Sequence, residues 1–490
     1  MNNMKHKINW NKLMNETRPK YRDYEKEDTG QQEKEVDVDE IFEHRNQFER
    51  DYDRIMSSSS LRRLQDKAQV FPLQESDFIR TRLTHSMEVS AIARSFGTWL
   101  ERWLSRKGDI SSGDLGKIPA ILATAGLVHD IGNPPFGHYG EDVIKVWFKK
   151  YFDENQDLNL EDKQKNDFLN FDGNAQGLRV LTRLQFLNDQ CGINFTYGTL
   201  STLIKYPWDS SHEKAVEDQK FGYFQQDKEL IENVIVETVG LASSRNPLTY
   251  FLEASDDIAY VGADVEDGVK KGLIPWEKIF ENEIAAENSV IFKAYPTEIT
   301  ELKQKHDKAK QSQFPDYVLT SVQNFKVWAQ GQMIREVKEE FIRNYENVMN
   351  GSYDKKGLLN KDQESYLLKK FLFGLLTKYC FDSREVLSLE LAGDSVITEL
   401  LNVFVKDCVM QNLDFDEKNK CKAKKLMRMI SDNFIFVHLL NEDYQNPQKD
   451  KKINDLDTYS RLLLITDFIS GMTDSYAVDL HQKLKGVKIR

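Results

Sequence analysis

The sequence has few of the residues that mark disulfide-stapled, membrane-spanning or polybasic proteins. Its 490 residues include only four cysteines, and none of them forms a C-x-x-C pair. Disulfides and a thiolate zinc site are therefore disfavoured. No run approaches the ~18 apolar residues that cross a bilayer, and residues 1–20 contain no apolar stretch typical of a signal peptide. These absences predict a cytoplasmic protein with reduced thiols and no membrane partner.

The chain also lacks an excess of positive charge. It has 67 Lys and Arg against 79 Asp and Glu, which gives a formal net charge of −12. An acidic chain of this kind is not an obvious polyanion binder. A nucleotide or nucleic acid would have to be bound by a local group of cations or by a metal ion.

Strand signals are scarce, and the pattern from residue 41 onward is helical. Apolar residues make up 40% of the chain, which is enough for a large core. Residues 118–130 (IPAILATAGLVHD) are apolar on nearly all sides and predict a buried helix that stops at the breaker 131–135 (IGNPP). Residues 1–40 are polar and predict a loosely packed arm. We therefore expect an all-α protein.

Histidine and aspartate residues occur where a buried metal site could form. His129 and Asp130 are adjacent at the end of the predicted buried helix, and burying an unpaired carboxylate is costly. His85 lies upstream on another predicted helix, and the acidic pair Asp256 and Asp257 interrupts an apolar helical pattern. Two imidazoles and two carboxylates form a mixed set that suits Mn²⁺, Mg²⁺, Fe²⁺ or Zn²⁺ with open positions.

Several longer motifs surround these residues. They are residues 62–71 (RRLQDKAQVF), 81–88 (TRLTHSME), 129–141 (HDIGNPPFGHYGE), 174–179 (NAQGLR), 205–208 (KYPW), 256–266 (DDIAYVGADVE) and 469–474 (ISGMTD). Together they resemble the deoxyguanosine triphosphate triphosphohydrolases, a family of HD-domain metal-dependent phosphohydrolases. The resemblance runs from about residue 41 to the C-terminus. It implies an HD-type helical core over 41–285 and a helical C-terminal lobe over 286–490 that completes the nucleotide pocket.

The resemblance also implies a reaction and the residues that perform it. The family cleaves dGTP to deoxyguanosine and inorganic triphosphate with a divalent metal, for which Mg²⁺ or Mn²⁺ is expected here. The implied metal ligands are His85, His129, Asp130 and Asp256, with Asp257 as the alternative fourth ligand. The implied catalytic pair is His138 and Glu141, which share a helix face at i and i+3 and could protonate the leaving 5′-oxygen.

Substrate contacts follow from the same resemblance. Lys205, Tyr206 and Asn174 are candidates for the triphosphate. Arg62 and Arg82 are further candidates, although either could equally form a structural salt bridge. The sugar candidates are Gln69, Tyr260 and Asp264, and the guanine candidates are Phe381 and Glu390. Core packing remains the alternative for Tyr260, and an exposed helix position remains the alternative for Glu390.

The implied partners are dGTP and other copies of the chain, commonly as a hexamer, with single-stranded DNA as a candidate allosteric ligand. The basic residues 418–428 (KNKCKAKKLMR) could contact phosphates or could be a solvated helix face. Three other functions stay open at this point. They are a broad dNTP triphosphohydrolase, a non-catalytic nucleotide or nucleic-acid sensor, and an HD phosphodiesterase.

Overall fold

The computed structural model describes residues 7–19, 44–73, 76–185, 191–241, 243–411, 421–439 and 453–487. These residues form α-helices joined by short loops, and within them only two isolated β-bridges occur, Ala68 with Thr81 and Asp209 with Tyr223. The all-α prediction is confirmed. None of the described helices is long and apolar enough to span a membrane.

The first half of the described chain contains twelve α-helices, of which α4 is the longest. They are α1 (Trp10–Leu13), α2 (Gln47–Met56), α3 (Ser59–Arg63), α4 (Arg82–Lys107), α5 (Lys117–Val128), α6 (Gly137–Glu154), α7 (Asp162–Leu169), α8 (Gly173–Arg179), α9 (Tyr197–Leu203), α10 (Glu213–Asp218), α11 (Lys228–Thr238) and α12 (Pro247–Lys270).

The second half is helical as well. Its helices are α13 (Trp276–Ile279), α14 (Val290–Ala294), α15 (Pro296–Gln311), α16 (Tyr317–Arg343), α17 (Tyr345–Met349), α18 (Ser365–Leu376), α19 (Arg384–Leu401), α20 (Lys422–Met427), α21 (Asp432–Leu439), α22 (Thr458–Ser470) and α23 (Asp474–Leu484). Wider π-helical turns extend several helices, at Val180–Leu184, Phe280–Ile284, Thr377–Phe381 and Asn402–Val409.

The antiparallel pair α4 and α5 forms the centre of the fold. Helix α4 begins with a capping box in which the Thr81 and Thr84 side chains bond each other's backbone N–H groups. Helix α5 is buried along almost its whole length, as its apolar sequence predicts. The two helices approach closely because Gly126 lies against Ser90, where an added Cβ would be 2.7 Å from the Ser90 Cα. This close approach brings the start of α4 beside the end of α5.

Two apolar clusters make up the core. The first joins α4, α5 and α12 to α16 and α18, and the second joins α6 to α19 and α22. Both clusters combine residues from before and after position 285. The predicted boundary at 285 and 286 therefore does not separate two independent cores, because helices distant in the chain share each cluster.

The prediction of a loosely packed arm over residues 1–40 is wrong for residues 7–19. Trp10 and Leu13 are buried, and the Trp10 indole N–H donates to the Tyr345 hydroxyl at 2.8 Å. Arg18 is also buried and pairs with Asp51 at 2.6 Å. A few apolar side chains within a polar sequence are thus enough to dock this segment. Residues 1–6 and 20–40 of the predicted arm lie outside the described residues.

Candidate active site

Three helices bring His85, His129 and Asp256 together. His85 lies in the first turn of α4, His129 follows the last residue of α5, and Asp256 lies within α12. Their ligand atoms all lie within 4.8 Å of one another. The His85 Nε2 is 3.1 Å from the Asp256 Oδ1, and the His129 Nε2 is 3.5 Å from the same oxygen. Two nitrogens and a carboxylate oxygen therefore point to one place.

Asp130 lies beside this group of three, and both of its oxygens are already engaged. Its Oδ1 lies 3.6 Å from the His129 Nε2 and accepts the Asn133 side-chain amide at 2.8 Å. Its Oδ2 pairs with the buried Arg82 guanidinium at 2.5 Å. Arg82 therefore makes the structural salt bridge that the sequence left open, and it does so at the edge of the site.

The hydrogen bonds of His129 fix which of its ring nitrogens faces the site. The Nδ1 donates to the Gly126 carbonyl at 2.8 Å, so the Nε2 carries the free lone pair. That Nε2 is buried and has no hydrogen-bond partner among the described residues. Burial lowers the pKa of His129, but Asp130 and Asp256 outweigh burial and raise it to about 9. The cluster thus favours a positive charge at this point.

A divalent cation also suits these residues. Burial raises the pKa of Asp256, but His129 and His85 outweigh burial and hold it well below its ordinary value, so Asp256 offers a charged oxygen. Mixed imidazole and carboxylate sets of this kind bind divalent metals and leave positions for a substrate. The adjacent Asp257 lies apart from this group, since its Oδ2 pairs with Lys369 at 2.6 Å.

A second histidine and carboxylate pair follows the same loop. His138 and Glu141 lie in the first turns of α6, with the His138 Nδ1 3.3 Å from the Glu141 Oε2. The His138 side chain is 75% exposed, whereas that of Glu141 is 3% exposed. Glu141 raises the pKa of His138 through this hydrogen bond and its charge. An exposed imidazole supported by a buried carboxylate can hold and deliver a proton.

Glu141 is fixed by contacts that the sequence did not predict. Its Oε1 accepts the Gly173 backbone N–H at 3.1 Å, and its Oε2 lies 3.5 Å from the Lys220 ammonium. Lys220 also pairs with Asp172 at 2.9 Å. Burial raises the pKa of Glu141, but His138 and Lys220 lower it to about 2. No motif marks Lys220, and only the fold brings it here.

Two of the three candidate triphosphate residues share a pocket with two of the predicted metal ligands. Asn174 and Lys205 line an enclosed pocket together with His129 and Asp256. The Lys205 ammonium lies 3.4 Å from Glu253 and 5.8 Å from the centre of the Tyr206 ring. Burial lowers the pKa of Lys205, but Glu253 outweighs burial and raises it, so Lys205 remains a cation.

The candidate sugar residues offer buried acceptors. Both carboxylate oxygens of Asp264 and the amide oxygen of Gln69 are buried without a hydrogen-bond partner among the described residues. Burial raises the pKa of Asp264 well above its ordinary value. Burial also raises the pKa of the Tyr260 phenol, and the charge of Asp264 adds to the effect.

The candidate guanine residues lie on two successive elements of the chain, the turn 377–381 and helix α19. The Phe381 ring is 6.2 Å from that of Phe373, and Phe373 is in turn 6.2 Å from Tyr260. Phe373 is 45% exposed and was not predicted. Glu390 lies on α19 and acts with Asp394 on the pKa of Tyr139, the neighbour of His138. Burial raises the pKa of Glu390 itself.

Arg62 makes only a local contact among the described residues. It is exposed on α3, and its Nη1 donates to the Ser57 carbonyl at 2.9 Å. Its role toward phosphate stays a prediction.

Comparison with known proteins agrees with this geometry. The HD domain family model matches residues 82–163, which carry His85, His129, Asp130 and the His138 pair. A phosphohydrolase-associated domain model matches residues 420–483. The all-α fold and the histidine and aspartate site thus define an HD-domain phosphohydrolase.

Full-length relatives narrow the class. A deoxyguanosinetriphosphate triphosphohydrolase-like protein of Listeria monocytogenes is 38% identical over 98% of this chain and 100% of the relative. A protein of the same description from Synechocystis is 31% identical over 91% of this chain and 95% of the relative. A deoxyguanosinetriphosphate triphosphohydrolase of Serratia proteamaculans is 29% identical over 92% and 96%. The chain belongs to the deoxyguanosinetriphosphate triphosphohydrolase family of the HD superfamily.

Proposed function

We propose that this chain is a metal-dependent hydrolase that cleaves dGTP to deoxyguanosine and inorganic triphosphate. One observation carries the proposal. His129, a member of the mixed histidine and aspartate ligand set, and the carboxylate-supported His138 lie at the two ends of the short loop between α5 and α6. Hydrolysis at a phosphate needs both an electrophilic centre and a proton donor for the leaving oxygen.

The ligands would be His85, His129, Asp130 and Asp256, and Mg²⁺ or Mn²⁺ is the expected ion. Such an ion supplies Lewis-acid chemistry at a phosphoryl oxygen. His138 supplies the proton. Glu141 accepts a hydrogen bond from the His138 Nδ1–H. The exposed Nε2–H can therefore donate its proton to the 5′-oxygen as that oxygen leaves. Water attacks the α-phosphorus, the bond from phosphorus to the 5′-oxygen breaks, and His138 protonates that oxygen, which releases the nucleoside and intact triphosphate.

The remaining candidate residues would contact different parts of the substrate. Lys205, Tyr206 and Asn174 would bind the triphosphate beside the metal, where Lys205 keeps its positive charge in an enclosed pocket. The unpartnered acceptors of Gln69 and Asp264 suit a donor such as the 3′-hydroxyl. Tyr260 would form the wall that excludes a 2′-hydroxyl.

Guanine recognition rests on Phe381 and Glu390. A carboxylate can accept hydrogen bonds from the guanine N1–H and N2–H₂, and adenine lacks this pair of donors. The contacts from Phe381 through Phe373 to Tyr260 support an aromatic wall that continues from the sugar to the base. If the protein cleaves the other dNTPs as readily as dGTP, it is the broader dNTP triphosphohydrolase.

The test is incubation with each of the four dNTPs and Mg²⁺ or Mn²⁺, with identification of the products. Triphosphate and deoxyguanosine from dGTP alone support the proposal, and equal turnover of all four dNTPs replaces it with the broad alternative. Cleavage of a generic phosphodiester without triphosphate release would indicate the phosphodiesterase.

A basic groove favours regulation by single-stranded DNA as a second function. Arg94, Arg102, Arg106 and Lys338 line a groove of about 600 Å³ along α4, and no carboxylate lines it among the described residues. The three arginines span about 18 Å of helix, which suits several phosphates of one strand. In the predicted strip 418–428, residues 418–420 lie outside the described residues, and Lys422 is already paired with Asp407 at 2.6 Å.

Oligonucleotide binding measured against salt concentration tests this second function. Arg94→Ala with Arg102→Ala should weaken binding and reduce its salt dependence, as the loss of phosphate contacts does. Lys422→Ala serves as the control. Binding that is insensitive to salt would exclude an electrostatic contact.

The hexamer and the cytoplasmic location also stay predictions. Light scattering on the purified chain measures the number of subunits.

A further inference from the structure

The loop between the metal ligands and the catalytic histidine is held in an unusual conformation. Phe136, which precedes α6, has a φ of 63°, in the left-handed region that a phenylalanine seldom adopts. The next residue, Gly137, has a φ of 62°. These two residues turn the chain from the Asp130 end of the loop into the helix that carries His138. Contacts from outside the loop must hold this turn.

Asp474 supplies one such contact from the far end of the chain. It is the first residue of α23 and is 1% exposed. Its Oδ1 accepts the Phe136 N–H at 2.9 Å, across 338 residues of sequence. Its Oδ2 accepts the Ala68 N–H at 2.9 Å, directly before Gln69. One carboxylate therefore bonds the backbone beside the catalytic histidine and the backbone beside a candidate sugar residue.

Lys67 supplies the second contact. It is 4% exposed, and its ammonium donates to the Asn133 carbonyl at 2.5 Å and to the Ser470 carbonyl at 2.9 Å. The Asn133 side chain in turn donates to the Asp130 Oδ1 at 2.8 Å. Lys67 thus connects the C-terminal residues 470–474 to the loop at the residue that orients a metal ligand.

A buried lysine and a buried aspartate are expensive to keep in a core. The hydrogen bonds of their side chains among the described residues all go to backbone groups of three segments, residues 66–69, 131–137 and 470–474. Apolar side chains could fill the space but could not hold these N–H and carbonyl groups. The arrangement therefore fixes where the loops lie, beyond simply filling the core.

We propose that Lys67 and Asp474 are positioning residues that lock the loop 131–137 so that Asp130 and His138 face the same phosphate. The C-terminal motif 469–474 then acts on catalysis through backbone contacts and without touching the substrate. The kinetic part of this proposal rests on the proposed function, whereas the structural part does not.

The first experiment measures the loop directly by hydrogen–deuterium exchange on Lys67→Met and Asp474→Asn. In Lys67→Met, amides of residues 131–137 should exchange about fivefold faster, as expected when a hydrogen bond is lost. The amide side chain in Asp474→Asn keeps one acceptor oxygen, so either residues 66–70 or residues 131–137 should lose protection in that variant. Residues 118–128 of α5 should be unchanged in both variants. Wild-type exchange in both loops would overturn the proposal, whatever the activity.

The second experiment separates positioning from general stability. Both variants should lower kcat by ~10–100-fold, the usual effect of removing an outer partner of a metal site. Lys67→Met should leave the KM for dGTP nearly unchanged, and both variants should keep the wild-type stoichiometry of bound Mn²⁺. The controls are Lys483→Met and Asp479→Asn, which alter a surface pair of 2.6 Å on α23. A fall in the folded fraction with unchanged kcat per folded molecule would mean a merely structural role.

The two experiments also keep the proposals apart. If wild-type protein releases no triphosphate from dGTP, the proposed function fails, and the exchange data still decide the role of Lys67 and Asp474. If Asp474→Asn does not fold, Lys67→Met alone tests the loop.

Discussion

Glu141 is buried and hydrogen-bonds the exposed imidazole of His138, with its Oε2 3.3 Å from the His138 Nδ1. The Glu141 and His138 side chains therefore have different roles. The carboxylate, held by the Gly173 N–H, stays charged inside the protein, and the imidazole is exposed at the surface. The raised pKa of His138 keeps it protonated to a higher pH than a free histidine.

Glu141→Gln should therefore weaken the proton donor without removing the metal. Loss of the carboxylate lowers the pKa of His138, so the protonated form is lost at a lower pH. The falling limb of the kcat profile should move to lower pH, and kcat at neutral pH should drop by about 10²-fold or more. Profiles of kcat against pH for both proteins check this. Identical limbs would exclude His138 as the group that titrates.

His129→Ala should remove the metal and the activity together. The variant deletes the Nε2 that lies 3.5 Å from Asp256, so metal affinity should fall by more than the ~10–100-fold typical of losing an outer partner. Metal analysis after gel filtration and far-UV circular dichroism measure occupancy and helix content. His138→Ala is the matched control, because it should keep the metal and slow turnover. Full turnover in His129→Ala would disprove the ligand assignment.

Gly126→Ala should separate α4 from α5. The new Cβ would lie 2.7 Å from the Ser90 Cα, and backbone cannot move aside as a side chain can. We expect a loss of about 1–3 kcal/mol in the free energy of unfolding, measured by urea titration, together with weaker metal binding. Gly331→Ala on α16 is the control, since its Cβ would meet nothing within 4 Å. That change should stabilise by about 0.5–1 kcal/mol.

Arg179→Met should show how much the buried ion pairs contribute to the free energy of unfolding. Arg179 donates to Asp467 at 2.8 Å and lies 3.2 Å from Asp227, and all three are buried. Removing the cation leaves two buried carboxylates and should cost about 3–5 kcal/mol. Arg343→Met removes an exposed guanidinium from the buried Glu340, which keeps Lys355 at 2.9 Å, and should cost about 0–1 kcal/mol. Urea titration of both variants compares the two costs.

The stabilisation that Asp467 and Arg179 provide should be lost at acid pH. Burial raises the pKa of Asp467, but Arg179 and His438 lower it to about 2, from an ordinary 3.8. A lowered folded pKa means that this stabilisation is complete above pH 3.8 and is lost as the pH falls toward 2. Unfolding measured across this window should show a smaller acid dependence in Arg179→Met.

Glu390→Gln should reduce the preference for guanine. A hydrogen bond to a charged group contributes about 1.5–3 kcal/mol, so kcat/KM for dGTP should fall by roughly 10- to 150-fold while the value for dATP changes little. Assays with both nucleotides measure the ratio. Asp394→Asn on the same helix is a comparison variant. An unchanged dGTP to dATP ratio would remove Glu390 from base recognition.

Local sequence was sufficient wherever a feature depends on neighbours in the chain. The buried helix α5, its stop before the loop, and the shared face of His138 and Glu141 all follow from helical periodicity and a proline breaker. The prediction of a loosely packed arm was wrong for residues 7–19 because it relied on their average polarity. The few apolar side chains among them, such as Trp10 and Leu13, are buried and dock the segment. Lys220 and Phe373 could not be predicted, because no local pattern separates them from other surface residues.

The sequence by itself determined the helices, the histidine and aspartate types that bind metal, and the family to which their motifs point. Only the tertiary structure decided that His85 and Asp256, 171 residues apart, share one site. It alone placed Lys67 and Asp474 at the loop between the metal ligands and His138. The physical reason is that helix periodicity is set by bonds between near neighbours. Contacts across hundreds of residues depend instead on how closely helices such as α4 and α5 can pack.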